Sequence, residues 1–427
     1  MLARAVVQAG RVRVLDLDQL GQVLGSLGLD EPRMVVSGNF AAPSRVLDVL
    51  DASVESYRLC LLNAQPGIPD RDGVTLETVF VGEGMRRSPR LRYVPCRLSL
   101  APLLHRSTLR PDVVVVHTSL PHEGTVSLGI EVNVLPAAIE AARMAGGTVV
   151  AQANARMPYT FGDAVLPLED LDYLVEVDEP LASPQAFAID EVSLHIGERV
   201  AARVKDGSSL QLGIGAVPDA TLHALTGRRH LRIWSEMFSD GALALDRAGA
   251  LDPGWPLIAS FLFGSAELYE WVDRNPRVRM LRTERTNDPS AIARNPQVVS
   301  VNTALQVDLF AQANASRING KIYSGFGGQT DFIVGALHSQ GGQAVIALRS
   351  WHPKADVSTI VPLIDEPLTS FQHSAVVTEN GVAEIFGNGQ REQAEQLITN
   401  TAHADVREEL WEEAAALRLV PPHSGGL

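Results

Sequence analysis

The chain has 427 residues, 45% of them hydrophobic and 20% charged, and carries a net charge of −14. That length exceeds what a single core usually supports, so two domains are expected in an otherwise ordinary soluble globular composition. The acidic balance argues against a broad nucleic-acid-binding face and leaves any anionic ligand to a local basic or N–H-rich pocket.

Strand-like apolar runs alternate with helical patterns along most of the chain. Met34–Val36 leads through Gly38 and Pro43 to a helical stretch at Arg45–Leu50. Val113–Val116, four valines in a row, has the character of a parallel strand buried on both faces. Leu135–Met144 follows with helical spacing and stops at Gly146-Gly147, ahead of a strand over Thr148–Ala151. Strand, helix, strand with glycine stops implies a parallel sheet with right-handed crossovers. The alternation pauses at Asp178-Glu179-Pro180 through Pro184, a polar, proline-bearing stretch that reads as a linker. It restarts with a helix over Glu191–Val204, a strand over Leu210–Ile214, a helix over Pro218–Leu225 and a strand over Leu231–Trp234. Pro218 suits a first helical turn, where its missing N–H would have no partner anyway. Further strands are expected at Leu257–Phe263, Val278–Leu281, Val298–Val301 and Ala344–Leu348. Two amphipathic helices, Arg391–Ile398 and Val406–Leu417, close the chain before a frayed tail from Pro421. The fold class is therefore α/β, in two domains spanning residues 1–185 and 186–427.

Cys60 and Cys96 form neither a metal-ligand spacing nor a disulfide framework, and Cys60 within Leu59–Leu62 reads as a small buried thiol. The histidines show no metal spacing, and His117, His122 and His352 each read as structural. The opening Met-Leu-Ala-Arg lacks the apolar core of a signal peptide, and the longest apolar stretch, Leu257–Phe263, is too short for a bilayer. A cytoplasmic protein with no membrane contact and no bound metal is expected.

The chemistry concentrates around Glu236. An apolar run (Leu231, Ile233) leads into this carboxylate, and Trp234, Met237 and Phe238 surround it in sequence. A random glutamate is most often a surface residue, but a carboxylate in apolar company needs partners or loses its charge. Asn287, in Thr286-Asn287-Asp288-Pro289, is a candidate partner, although a turn asparagine before proline reads almost as well. Upstream, Gly213-Ile214-Gly215 follows a strand; a dinucleotide fingerprint would need a third glycine where Pro218 stands. That leaves the Ile214 N–H, free of bulky neighbours, as an oxyanion donor. Downstream, Gly325-Phe326-Gly327-Gly328-Gln329-Thr330-Asp331-Phe332 lets backbone approach a ligand closely. A carboxylate between two loops able to present bare N–H groups is what acyl transfer through a glutamyl intermediate requires. Arg349, with Lys354, could meet phosphates or merely form a solvated edge. Glu379, beside Asn380-Gly381, is a second carboxylate that competes with Glu236 for the role.

In that order the segments resemble the class I coenzyme A transferases, specifically the acetyl-CoA hydrolase/transferase branch. The resemblance runs nearly full length. In the first half it rests on Pro121-His122-Glu123-Gly124, Ser127-Leu128-Gly129, Asn154–Pro158 and Gly162-Asp163. In the second it rests on Gly213–Gly215 with Pro218-Asp219, Ser235–Gly241, Val301–Ala304 with Val307-Asp308, Gly327–Phe332 and Val377–Glu379. The resemblance implies two tandem related domains, each a mainly parallel sheet flanked by helices, with the nucleophile on the second. It implies Glu236 as the glutamyl nucleophile, Ile214 and Gly328 as the backbone donors of the oxyanion hole, and Asn287 as the asparagine contacting the glutamate. Glu379 falls where the family has a second, non-nucleophilic glutamate, and Gln211, Leu212, Gly213, Ile214 and Gly215, with Gly327 and Gly328, match CoA-contacting segments. Coenzyme A as co-substrate, a small carboxylic acid as acceptor and a homodimer or larger homo-oligomer are likewise implied, with no other cofactor. Departures from the family pattern at Trp234, Tyr159, Asn380, Ala311 and Ser350–Pro353 bear on the acyl pocket, and Trp234 and Tyr159 are the expected determinants of which acid is handled. The expected activity is a ping-pong acyl-CoA:carboxylate CoA-transferase. An acyl-CoA hydrolase using the same glutamate is the nearest alternative. A catalytically idle acyl-CoA-binding protein and a nicotinamide-dependent oxidoreductase are weaker ones.

Overall fold

The structure, a computed structural model, describes residues 12–183 and 188–421; the expected domain boundary at 185–186 and most of the expected tail lie outside the described residues. The chain forms two compact units. One takes the described residues up to Val94, Leu100–Ser183 and Ser260–Thr283; the other takes Pro95–Ser99, residues 188–259 and Glu284 onward. A single cut near residue 185 therefore misses two excursions. Pro95–Ser99 packs with the second unit, and the chain returns to the first between Ser260 and Thr283.

The first unit is built on eight strands: β1 (Arg13–Val14), β2 (Arg33–Val36), β3 (Tyr57–Cys60), β4 (Val74–Thr78), β5 (Leu91–Tyr93), β6 (Val113–Ser119), β7 (Thr148–Asn154) and β8 (Tyr173–Val177). Their order is β1-β8-β7-β6-β2-β3-β4-β5, and every neighbouring pair is parallel. All seven residues of β6 are buried, which is why its valines run together instead of alternating with polar residues. Helices α1 (Ser44–Ser53) and α2 (Leu135–Ala145) form where the helical spacing predicts them. His117 on β6 is a buried structural residue, its Nδ1 3.1 Å from the Ala41 carbonyl and its Nε2 3.1 Å from the Asn154 amide. Cys60 is buried, and burial pushes its thiol up to about 12, far from a reactive thiolate.

The second unit carries β9 (Ser209–Leu212), β10 (Arg232–Ile233), β11 (Val298–Asn302), β12 (Gln343–Ala347), β13 (Ala375–Val377) and β14 (Val382–Glu384) in the order β10-β9-β11-β12-β13-β14. All pairs are parallel except β13–β14, an antiparallel edge. Helices α3 (Glu191–Ala202), α4 (Ala216–Ala224), α5 (Pro289–Ala293) and α6 (Gln329–His338) belong to this unit. Phe332, Ile333 and Ala336 of α6 share one core with Val298, Ala344, Ile346 and Val376 of the strands. Two expectations need correction. Leu257–Phe263 is not one strand but two, Leu257–Ala259 and Phe261–Leu262, interrupted at Ser260 where the chain changes unit. The helix expected over Arg391–Ile398 ends at Gln396 and widens into a π turn over Leu397–Thr401.

Candidate active site

The order in which strands are added to the second sheet switches sides at β9, because β10 lies on one side of β9 and β11–β14 on the other. In parallel α/β sheets such a switch point opens a crevice at the carboxyl ends of the strands. The expected site residues hang there. Ile233 stands opposite Leu210, the Trp234 N–H reaches the Leu210 carbonyl, and Ser235 Oγ donates to the Leu212 carbonyl at 3.2 Å. Glu236 follows directly, level with the Gly213–Gly215 turn. Buried Gln211 ties β9 to β11, its Oε1 accepting from Ser300 Oγ at 2.5 Å and Asn302 Nδ2 at 3.3 Å. Gly215, at φ 129 and ψ 175, holds a backbone shape that a side chain would strain, and it opens α4.

Two elements converge on the Glu236 carboxyl. Asn287, fully buried, donates its Nδ2 to Glu236 Oε2 at 3.0 Å. Gly328, at the N-terminus of the ten-residue α6, packs so tightly that a Cβ there would lie 2.0 Å from Glu236 Oε2 and 2.3 Å from Asn287 Nδ2. Only glycine fits. Among the described residues, neither the Gly328 N–H nor the Ile214 N–H has a hydrogen-bond acceptor. A helix N-terminus with free N–H groups favours a developing negative charge.

Sequence reasoning missed a second buried carboxyl, Asp331. Its Oδ1 accepts from Ser99 Oγ at 2.9 Å and its Oδ2 from the Ser99 N–H at 3.3 Å, with the Arg97 guanidinium 3.9 Å away. The Leu98 N–H also donates to the Gly327 carbonyl at 3.0 Å, so Pro95–Ser99 straps the glycine turn in place. A weak signal existed, since Asp331 lies in the glycine-rich run on the first turn of a helix; its partner Ser99 is 232 residues away and has none. Glu236 keeps partial solvent access as a residue, yet its carboxyl is desolvated enough that burial pushes its pKa up to about 7. The Asn287 hydrogen bond pulls it down, and the charge of Asp331 pushes it up. Burial likewise raises Asp331 to about 6, against the opposing pull of Ser99 and Arg97.

Other expected site residues have different company. Glu379 accepts from the Ser350 N–H at 3.2 and 3.0 Å and from Ser350 Oγ at 2.5 Å. It follows β13. Among the described residues no hydrogen bond joins it to Glu236. Arg349 donates through Nη2 to both Asp190 oxygens, at 2.7 and 2.6 Å, and to Ser193 Oγ at 3.0 Å, so it is tied to Asp190, the residue that caps α3. Asp190 is correspondingly held down to about 2, by the Arg349 hydrogen bond first. Neither departure expected to set substrate choice is a free side chain. Trp234 packs against the second unit's core and donates its indole N–H to the Thr286 carbonyl at 3.0 Å. Tyr159 is buried in the first unit with its hydroxyl 2.7 Å from Thr125 Oγ1.

The N-terminal domain of acetyl-CoA hydrolase/transferases matches residues 35–183, and their C-terminal domain matches residues 264–414. The chain is 39% identical over 351 residues to the 4-hydroxybutyrate coenzyme A transferase of Clostridium kluyveri, covering 78% of this chain and 80% of that one. It is 35% identical over 417 residues to a succinyl-CoA:acetate/propanoyl-CoA:succinate CoA transferase of Fasciola hepatica, covering 91% and 86%. Its fold matches the crystal structure of 4-hydroxybutyrate CoA-transferase from Porphyromonas gingivalis with a TM-score of 0.79 at 32% identity, over 95% of this chain and 98% of that one. The architecture is that of the CoA-transferase class of α/β enzymes. Within that class, the chain belongs to the acetyl-CoA hydrolase/transferase family. Among the described residues no helix is long and apolar enough to cross a membrane.

Proposed function

We propose that this enzyme transfers coenzyme A between acids by a ping-pong cycle on Glu236. The observation that carries the reading is the Glu236 carboxyl itself, held by one amide donor and pressed against the bare backbone of Gly328 at a helix N-terminus. A carboxylate oxygen attacks the thioester carbonyl carbon, the C–S bond breaks, and CoA leaves as thiolate from a mixed anhydride. The thiolate then attacks the Glu236 carbonyl carbon. The anhydride C–O bond on that side breaks, the first acid departs as carboxylate, and a glutamyl-CoA thioester remains. A second carboxylate runs the steps in reverse. The N–H groups of Ile214 and Gly328 receive the negative charge that gathers on oxygen at each addition, where one donor is typically worth roughly 10²–10³ in rate.

Gln211–Gly215 and Gly327-Gly328 are the segments we assign to CoA, with CoA as co-substrate and no further cofactor. Arg349 holds Asp190 through Nη2, and its Nε and Nη1 could still meet a phosphate. Glu379, the second carboxylate of the reading, is held by Ser350. Hydrolysis, with water intercepting the acylated glutamate, is the competing outcome, and the family's own description joins both activities. Incubation with acetyl-CoA, borohydride reduction and peptide mass mapping tests the reading. Reduction confined to Glu236, together with acid-dependent CoA exchange faster than hydrolysis, is the expected result. Modification at Glu379, or none, overturns it.

A further inference from the structure

Glu236 belongs to a closed circuit of hydrogen bonds that leaves the chain two residues before it and returns to its side chain. Trp234 Nε1 donates to the Thr286 carbonyl at 3.0 Å, Thr286 Oγ1 donates to Asn287 Oδ1 at 2.8 Å, and Asn287 Nδ2 donates to Glu236 Oε2 at 3.0 Å. Thr286 and Asn287 are both fully buried. An asparagine amide is nearly symmetric in shape but opposite in chemistry at its two ends. Its NH2 end stabilises an ionised carboxylate, and its oxygen end repels one. An ionised carboxylate can only accept, so the arrangement needs a donor at the other end of the amide to hold Oδ1 there. Thr286 supplies that proton, and Trp234 anchors the backbone that carries Thr286.

We propose that Thr286 and Trp234 are positioning residues that hold the Asn287 amide with its NH2 toward the nucleophile. The inference rests on Glu236 being the nucleophile, as proposed above. It also gives Trp234 a task other than shaping an acyl pocket. The circuit favours the ionised form of Glu236, because a hydrogen bond to the charged state stabilises that state. The opposing group is Asp331 on α6, which in turn faces Ser99, Arg97 and the charge of Asp288.

The test uses Thr286→Val, which keeps the shape and removes the hydroxyl, beside Thr286→Ser and Trp234→Phe. At neutral pH, Thr286→Val should lower kcat roughly 10- to 100-fold, the range for a hydrogen bond to a charged group, with KM for acetyl-CoA unchanged. The acid limb of its pH profile should move to higher pH, so that the deficit shrinks in alkaline buffer. Thr286→Ser should restore both, and Trp234→Phe should show a smaller shift in the same direction. In an Asn287→Ala background Thr286→Val should add nothing, because the amide it orients is gone. A loss uniform across pH, or one that adds fully to Asn287→Ala, overturns the proposal. Borohydride trapping of the wild type separates the two readings. No adduct on Glu236 sinks the nucleophile, whereas an adduct combined with an unshifted Thr286→Val profile sinks only the positioning role.

Discussion

Replacing Glu236 with glutamine should abolish transfer and at the same time stabilise the protein, increasingly so as pH rises. Burial pushes this carboxyl from its ordinary value of 4.5 to about 7. Between those values the folded protein holds a proton that the unfolded chain has released. Stability attributable to this group is therefore fully present below about pH 4.5 and is lost as pH rises through 7. The shift of about 2.5 units corresponds to about 3 kcal/mol of stability surrendered to keep an ionisable nucleophile in a desolvated site. A neutral glutamine preserves an acceptor for Asn287 Nδ2 and never pays that cost. The measurement is chemical denaturation of wild type and Glu236→Gln at pH 5 and pH 8.5, read as the difference between the two proteins so that most other titrating groups cancel. The gap should widen by about 2.5 kcal/mol, because part of the effect is already present at pH 5, or somewhat less if Asp331 relaxes when its charged neighbour is removed. In parallel, wild-type kcat/KM should fall tenfold per pH unit on an acid limb centred near 7. A gap independent of pH would show that Glu236 titrates as an ordinary exposed carboxyl, and the reasoning would fail.

Gly328→Ala should reduce kcat by roughly 10²-fold or more, since its methyl group would need the space held by Glu236 Oε2 and Asn287 Nδ2; steady-state kinetics with a melting curve checks it, and near-normal turnover would contradict the close approach. His373 is fully buried with neither ring nitrogen hydrogen-bonded among the described residues, and burial lowers its pKa to about 4. The unfolded chain takes up that proton near pH 6.5 while the folded one resists until about 4, so stability drops as pH falls through this window. His373→Leu should remove up to about 3 kcal/mol of that acid sensitivity, measured as denaturation midpoints at pH 7 and pH 4.5, and an unchanged pH dependence would count against it.

Much of this architecture was legible because parallel α/β sheets write themselves in local runs. The valines of β6 and the helical spacing of α2 each state their environment within a dozen residues. The candidate site was legible where its chemistry is local as well: Glu236 in apolar company, and glycines on both flanking loops. What could not be read was pairing across the chain. Asp331 looks like any acidic residue on the first turn of a helix, and only the strap from Pro95 to Ser99 reveals it as buried and coupled to Glu236. Arg349 looked free because its partner Asp190 lies far upstream and caps another helix. Ser260, polar inside an apolar run, was the one hint that Leu257–Phe263 is two strands and that the chain changes unit there.

The opposition between Asn287 and Asp331 sets how Glu236 can work in the proposed cycle. With the amide alone, the carboxylate would be stabilised and its oxygen made a poorer nucleophile. Without the amide, burial and Asp331 would push its pKa higher still, leaving less of it ionised at neutral pH to attack. Together with burial they leave it near 7, about half ionised at neutral pH and more basic than an ordinary carboxylic acid near 4.5. That difference matters at the anhydride, where two acyl–oxygen bonds compete to break. When thiolate adds at the Glu236 carbonyl, the group expelled is the substrate carboxylate, the weaker base and better leaving group. When it adds at the substrate carbonyl, the group expelled is the more basic Glu236. Raising the basicity of the enzyme's own carboxylate therefore biases the anhydride forward to the glutamyl-CoA thioester, and burial sets most of that bias, with Asn287 and Asp331 adjusting it in opposite directions.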